Sequence, residues 1–171
     1  MRAPQATLTV GVAQLLRRPG TQRELAIEAE LEGLEVSSAA VPPGVPVAVD
    51  LVVESIPDAI TATGTVQAPW VGSCRRCLAR VAGTAVAAVR EVFEHGAVEG
   101  ETYPLEGDHL DLTAMVRDAL LLSLPLAPLC DEACAGPDPD DYPVVVDSDV
   151  GAAEPAGRDP RWAVLDDLDL N

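Results

Sequence analysis

Cysteine occurs in this chain only as two close-spaced pairs. Cys74 and Cys77 form C-R-R-C directly after a strand-like stretch, and Cys130 and Cys134 form C-D-E-A-C directly after a Leu-rich helix-like stretch. The pairs stand far apart in sequence, so only folding can bring four sulfurs together. Each short turn presents two thiols about 4 Å apart, and two such turns are what a tetrahedral zinc site requires. The pattern therefore proposes a fold pinned at one point before it proposes any reaction. Two other readings stand beside zinc. Cysteine is also a small hydrophobe that is often simply buried. Arg75 and Arg76 would favour a thiolate for redox work, although no βαβ context surrounds Cys74.

The rest of the chain says what is being pinned. Residues 23–32 alternate, with Leu25, Ile27, Ala29 and Leu31 on one side and Glu24, Glu28, Glu30 and Glu32 opposite or nearby. Residues 45–56 repeat the pattern through Val45, Val47, Val49, Leu51 and Val53, and 59–70 follow with Ile60, Ala62, Val66 and Trp70. Period-two alternation is the signature of half-buried strands. The run 79–93 is rich in Val and Ala but changes phase midway, which predicts a bulge or a strong twist. Short turns between these stretches predict an antiparallel meander. One main helix is expected over Leu112–Leu124, capped by Asp111 and stopped by Pro125, with a shorter one over Val12–Arg17. Aromatic residues are only 3% of the chain, so the core must be aliphatic.

Charge separates the last quarter from the rest. The chain carries −17 overall, with every basic residue an arginine, as GC-rich coding produces. Residues 131–171 hold 12 acidic residues against two Arg. The expected fold class is α+β: a β-rich antiparallel sheet with one main packed helix and an acidic, partly disordered tail ending in a short helix. The expected boundaries are a domain over 1–134, an acidic Pro/Gly/Ala-rich linker over 135–157, and a short helix over 158–171. Asp159-Pro160 would start that helix, and Trp162, Leu165 and Leu168 would form its apolar stripe. Burying each would stabilise by roughly 1.5–3 kcal/mol, so the stripe docks either on its own domain or in a partner's groove.

Such an acidic balance excludes broad phosphate binding driven by bulk electrostatics. A local patch remains open. Arg75, Arg76 and Arg80 cluster at the cysteine turn, and Arg17, Arg18 and Arg23 precede the first strong strand. Brought together by the fold, the two clusters would make one basic spot suited to RNA phosphate or an acidic partner. Neither His95 nor His109 is accompanied by a nucleophile elbow, a phosphate loop or H-E-x-x-H, so no catalytic constellation emerges. No secretory signal or membrane-spanning run is visible, and the expected location is the cytoplasm, where paired thiols more often hold metal than form disulfides.

Three segments carry a resemblance: A-P-W-V-G-S-C-R-R-C-L (68–78), D-L-T-A-M-V-R-D-A-L-L-L-S-L-P-L-A-P-L-C (111–130) and D-P-R-W-A-V-L (159–165). In this order they resemble the YceD family, also called DUF177, the large-ribosomal-RNA-subunit accumulation proteins. The resemblance implies a bacterial cytosolic protein, with no known catalytic activity, that supports accumulation of large-subunit ribosomal RNA. Its partners would be large-subunit assembly components, protein and candidate rRNA, with no membrane and no small-molecule substrate. It also implies a gene neighbouring that of a small zinc-ribbon ribosomal protein. Many relatives continue into a further C-P-x-C-G, where this chain has Asp138 and Asp141. If the family's zinc pairs Cys74 and Cys77 with that later pair, half of the site is lost here. Either Cys130 and Cys134 substitute, giving Cys74, Cys77, Cys130 and Cys134 as the ligands, or the metal is absent and the apolar core alone holds the fold. Arg75, Arg76 and Arg80 are the expected RNA or partner contacts, and Trp162 the expected anchor. The alternatives are a thiol-redox or zinc-dependent enzyme, and a metal chaperone for the zinc-ribbon protein.

Overall fold

Wherever alternation runs long enough it becomes strand. The computed structural model describes residues 8–137, and the fold lies within the unit Met1–Gly136. In chain order the elements are β1 (Thr9–Gly11), α1 (Ala13–Leu16), β2 (Gln22–Ala29), β3 (Ala39–Ala40), β4 (Val47–Ile56), β5 (Ala59–Ser73), β6 (Arg80–Glu94), β7 (Tyr103–Glu106), β8 (His109–Asp111) and α2 (Thr113–Ser123). Seven strands form one sheet in the order β1-β8-β7-β6-β5-β4-β2, and β3 pairs with the part of β5 that β4 leaves uncovered. Most of the linker expected over 135–157, the expected terminal helix with Trp162, and Asp138 and Asp141 lie outside the described residues.

The expected meander holds for β4, β5 and β6, where short turns leave antiparallel pairing as the local solution. It fails at β7, which joins β6 in parallel through Phe93↔Tyr103 and Glu94↔Pro104. Phe93 and Tyr103 stack there with ring centroids 5.3 Å apart. This aromatic contact accompanies the crossover that the longer connection 95–102 makes possible. The bulge expected in 79–93 is also absent. Pairing with β5 runs without interruption from Ala59↔Glu94 to Ser73↔Arg80. The apparent change of phase comes from Val86 and Val92, apolar residues on the outer face of a regular strand; Val86 is exposed.

The sheet curls into a half-barrel, and its inner face makes the core. Val47, Val49, Val53, Ile60, Ala62, Val66 and Phe93 are fully buried there. Against them α2 presents Met115, Val116 and Leu120, with Leu112 and Leu124 buried at its two ends. Asp111 acts one position earlier than expected. The helix starts at Thr113, and the Asp111 Oδ1 accepts the Thr113 N–H at 2.9 Å. Leu124 turns extended because Pro125 follows it.

Curling brings the two edge strands, β1 and β2, to face each other across a shallow gap lined from both sides. Arg23, at the start of β2, donates from Nη2 to the Gly11 carbonyl of β1 at 3.0 Å and bridges this gap. Among the described residues no helix is long and apolar enough to cross a membrane.

Candidate metal centre

The long hairpin of β5 and β6 reaches past β4, and its tip is the turn 74–79 that carries C-R-R-C. Cys74 donates its N–H to Ala79 O at 2.8 Å, and Leu78 donates back to Cys74 O at 2.9 Å. To close this turn Leu78 adopts φ 62, a left-handed conformation that is strained for a branched side chain, and it leaves that side chain 72% exposed. The turn also points the Arg76 N–H at the Cys74 Sγ, 3.4 Å away.

The second pair arrives from the end of α2. Pro125 and Pro128 hold the chain extended, and Pro128 O accepts the Arg75 N–H at 2.9 Å, fastening this segment to the hairpin tip. Beyond it Asp131 folds the chain back on itself. Its Oδ1 accepts the Ala133 N–H at 2.8 Å and its carbonyl accepts the Cys134 N–H at 3.1 Å. The Arg76 guanidinium completes the junction by donating to Glu132 O at 3.0 Å and Cys134 O at 2.7 Å.

These backbone contacts bring the four thiols together. The Cys77 and Cys130 sulfurs lie 3.6 Å apart and those of Cys74 and Cys134 lie 3.9 Å apart. All four fall within 4.8 Å of one another. A regular tetrahedron with ligands about 2.3 Å from a zinc ion has edges of about 3.8 Å. The sulfur spacing and the all-thiol donor set therefore fit a four-coordinate ion such as zinc. Cys74 is fully buried and Cys130 exposed, so the cluster sits half in the protein.

Protons are distributed unevenly over the cluster. The backbone N–H of Cys77, then those of Cys130 and Arg76, pull the Cys74 thiol down to about 6 despite its burial. Hydrogen bonds with Cys134, Cys77 and Cys74 push Cys130 up to about 12. Four thiolates this close repel one another, and a divalent cation is what would let all of them ionise.

The other nominated residues fall into three groups. Arg76 is part of the junction itself. Arg75 and Arg80 are exposed beside it, with no side-chain partner among the described residues. Arg17, Arg18 and Arg23 are elsewhere, and the fold does not merge the clusters. Gln22 pairs with Glu54 and Glu54 with Thr61, whereas Ser73 lies twelve residues further along β5, about 40 Å of extended strand. His95 bonds through Nδ1 to the Leu105 carbonyl at 2.8 Å, and His109 pairs with Asp108 at 2.7 Å; neither joins the thiol cluster. The function of Arg76 in the junction was not foreseeable from sequence, because its acceptors are main-chain carbonyls that no residue type announces.

A family model described as the large ribosomal RNA subunit accumulation protein YceD matches residues 62–169, a span that includes all four cysteines. An uncharacterized protein of Mycobacterium bovis is 36% identical over 173 residues, covering 92% of this chain and 79% of its own length. A Mycobacterium tuberculosis protein shows the same identity and coverage. A Mycobacterium leprae protein is 33% identical over 133 residues, covering 73% of this chain and 60% of its own. No solved structure matches this chain.

Proposed function

Because the chain belongs to the YceD family, we propose that it supports accumulation of large-subunit ribosomal RNA as a non-enzymatic assembly factor, working through protein contacts and through RNA. The family match carries this reading. Its working partners are large-subunit assembly components, and its working place is the cytoplasm. Zinc held by Cys74, Cys77, Cys130 and Cys134 acts as a structural clamp between the hairpin tip and the end of α2. Arg75 and Arg80, exposed beside the clamp, and Trp162 in the tail are the contact residues of this reading.

The thiol chemistry supports a clamp over a redox enzyme. A reactive cysteine needs to be both exposed and low in pKa. Here the low one, Cys74, is buried, and the exposed one, Cys130, is pushed up. Rapid alkylation of a single thiol in the folded protein, the other three being protected, would favour the enzyme instead.

Depletion in a host cell tests the main reading. Large-subunit particles on a sucrose gradient and the amount of large-subunit RNA should both fall relative to the small subunit. Unchanged ratios after full depletion would overturn it.

A further inference from the structure

The mouth of the half-barrel beside α1 carries a cluster that the metal centre leaves unexplained. Arg17, Arg18 and Arg23, three of the chain's 11 basic residues, line one cavity of about 530 Å³ together with Gln14, Leu15, Thr21 and Gln22. Among the described residues no carboxylate lines it, in a chain with 28 acidic residues. Neither Arg17 nor Arg18 has a carboxylate within ion-pair reach among the described residues. Arginines on an acidic protein would ordinarily pair with its carboxylates. Three that converge on one cavity without doing so leave like charges facing each other, and an anion between them would relieve that repulsion.

The turn that presents them is fixed in advance. Gly20, at φ 85, donates its N–H to Ser55 O at 2.7 Å, and Ser55 donates back to Thr21 O at 3.0 Å, so the turn is fastened to the end of β4. Thr21 Oγ1 donates to Arg18 O at 2.8 Å, and Pro19 restricts the chain between them. Arg23 is anchored by its bond to Gly11 O through one nitrogen, which leaves the remaining donors of its fork available. Arginine forks match phosphate oxygens two at a time, and several forks around one cavity suit a phosphate with its several oxygens better than a single carboxylate.

We propose that the Arg17–Arg18–Arg23 cavity is a phosphate-binding site. The acidic surroundings limit contact to one or a few phosphates rather than a long backbone track. Taking that phosphate from RNA rests on the ribosomal reading above; the site itself rests on the arginines alone.

Purified full-length protein would be titrated with inorganic pyrophosphate by calorimetry and with a fluorescently labelled single-stranded RNA oligonucleotide by anisotropy. Saturable binding is expected for at least one probe. Arg17→Ala with Arg18→Ala should weaken it about a hundredfold, at about tenfold per charge-assisted contact. Lysine at both positions keeps the charge but loses the forks, so binding should be intermediate. Both side chains are exposed, so thermal unfolding should not move, and the lysine pair is the recourse if the alanine pair does not fold. RNA affinity should fall with salt with a slope of roughly −0.7 per phosphate contacted, for one to three contacts.

Binding of RNA but not pyrophosphate would assign the phosphate to a nucleic-acid backbone, and the reverse would assign it to a free phosphate compound; either supports the site. Binding by neither probe would overturn it. So would affinity that survives the Arg17/Arg18 alanine pair, or affinity lost only on changing Arg75 and Arg80 to alanine. An acidic peptide that binds where both phosphate probes fail would overturn it as well. These outcomes do not depend on the depletion phenotype, so the site and the ribosomal reading can fail separately.

Discussion

The molecule carries adjacent arginines on a turn at each of two distant ends, and it uses them in opposite ways. At the hairpin tip the Arg76 guanidinium is absorbed into the fold, closing two carbonyls of the Cys130–Cys134 segment. At the α1–β2 turn the chain is fastened by main-chain bonds to Ser55, and Arg17 and Arg18 are left over. A turn held by its own backbone can offer its side chains to something else. The hairpin tip is closed by main-chain bonds as well, but it must also hold the distant Cys130–Cys134 segment, and for that junction it recruits the Arg76 side chain and brings the thiols together.

Metal removal should break this contrast most visibly. With zinc loaded, a strong chelator or Cys74→Ser should release hydrogen-exchange protection across 74–79 and 125–134. The amides of β4, β5 and β6 should remain protected, because Val49, Ile60 and Val66 form a core of their own. Loss of protection everywhere at once would mean that the two ends are not independent. Phe93→Ala should act in the converse way. It should cost about 3–5 kcal/mol in denaturant unfolding while leaving zinc affinity unchanged, since Phe93 lies in the core and away from the thiols.

Arg76→Ala should lower zinc affinity about 10–100-fold, as loss of outer-shell support does, and Arg75→Ala should not. Competition with a chromophoric chelator reads the difference. A smaller effect is expected from Ser55, whose hydroxyl is buried without a partner among the described residues. Ser55→Ala should be neutral or stabilising by about 1 kcal/mol, measured as a shift in denaturation midpoint, because the turn uses only the Ser55 backbone. The last concerns the alkaline response of Tyr103. Burial, and then the Asp118 carboxylate that accepts its O–H at 3.0 Å, raise its pKa from 10.0 to about 12. The group holds its proton more tightly when folded, so its contribution is complete below about 10 and fades as pH rises through 12. Tyr103→Phe should remove that fading from the pH-stability profile.

Much of the sheet could be read in advance because alternation is a local signal. Leu25, Ile27 and Ala29 face inward as their spacing requires, as do Val47, Val49, Leu51 and Val53. What could not be read is pairing between distant segments. Nothing local in Thr9–Gly11 says that it will lie on His109–Asp111 at the far edge. The parallel step from β6 to β7 is accompanied by a contact between Phe93 and Tyr103 that exists only after folding. The false bulge has a different origin, since Val86 and Val92 are apolar residues placed where the pattern wants polar ones. At the metal centre the spacing of the thiols was legible, while the bonds from Arg75 and Arg76 to main-chain oxygens carry no sequence signature.

The latch from Arg23 to Gly11 has a consequence for how copies of this protein meet one another. A sheet edge with unpaired N–H and C=O groups is a template on which a stranger's strand can grow. Here the two edges are turned toward each other and tied by one side chain. On the longer edge, Glu24 and Glu28 stand exposed along β2. A copy trying to add its own strand would have to enter a gap already bridged and then bring its own negative charge against theirs. Curvature and a single guanidinium thus work against edge-to-edge strand addition in a sheet that never closes.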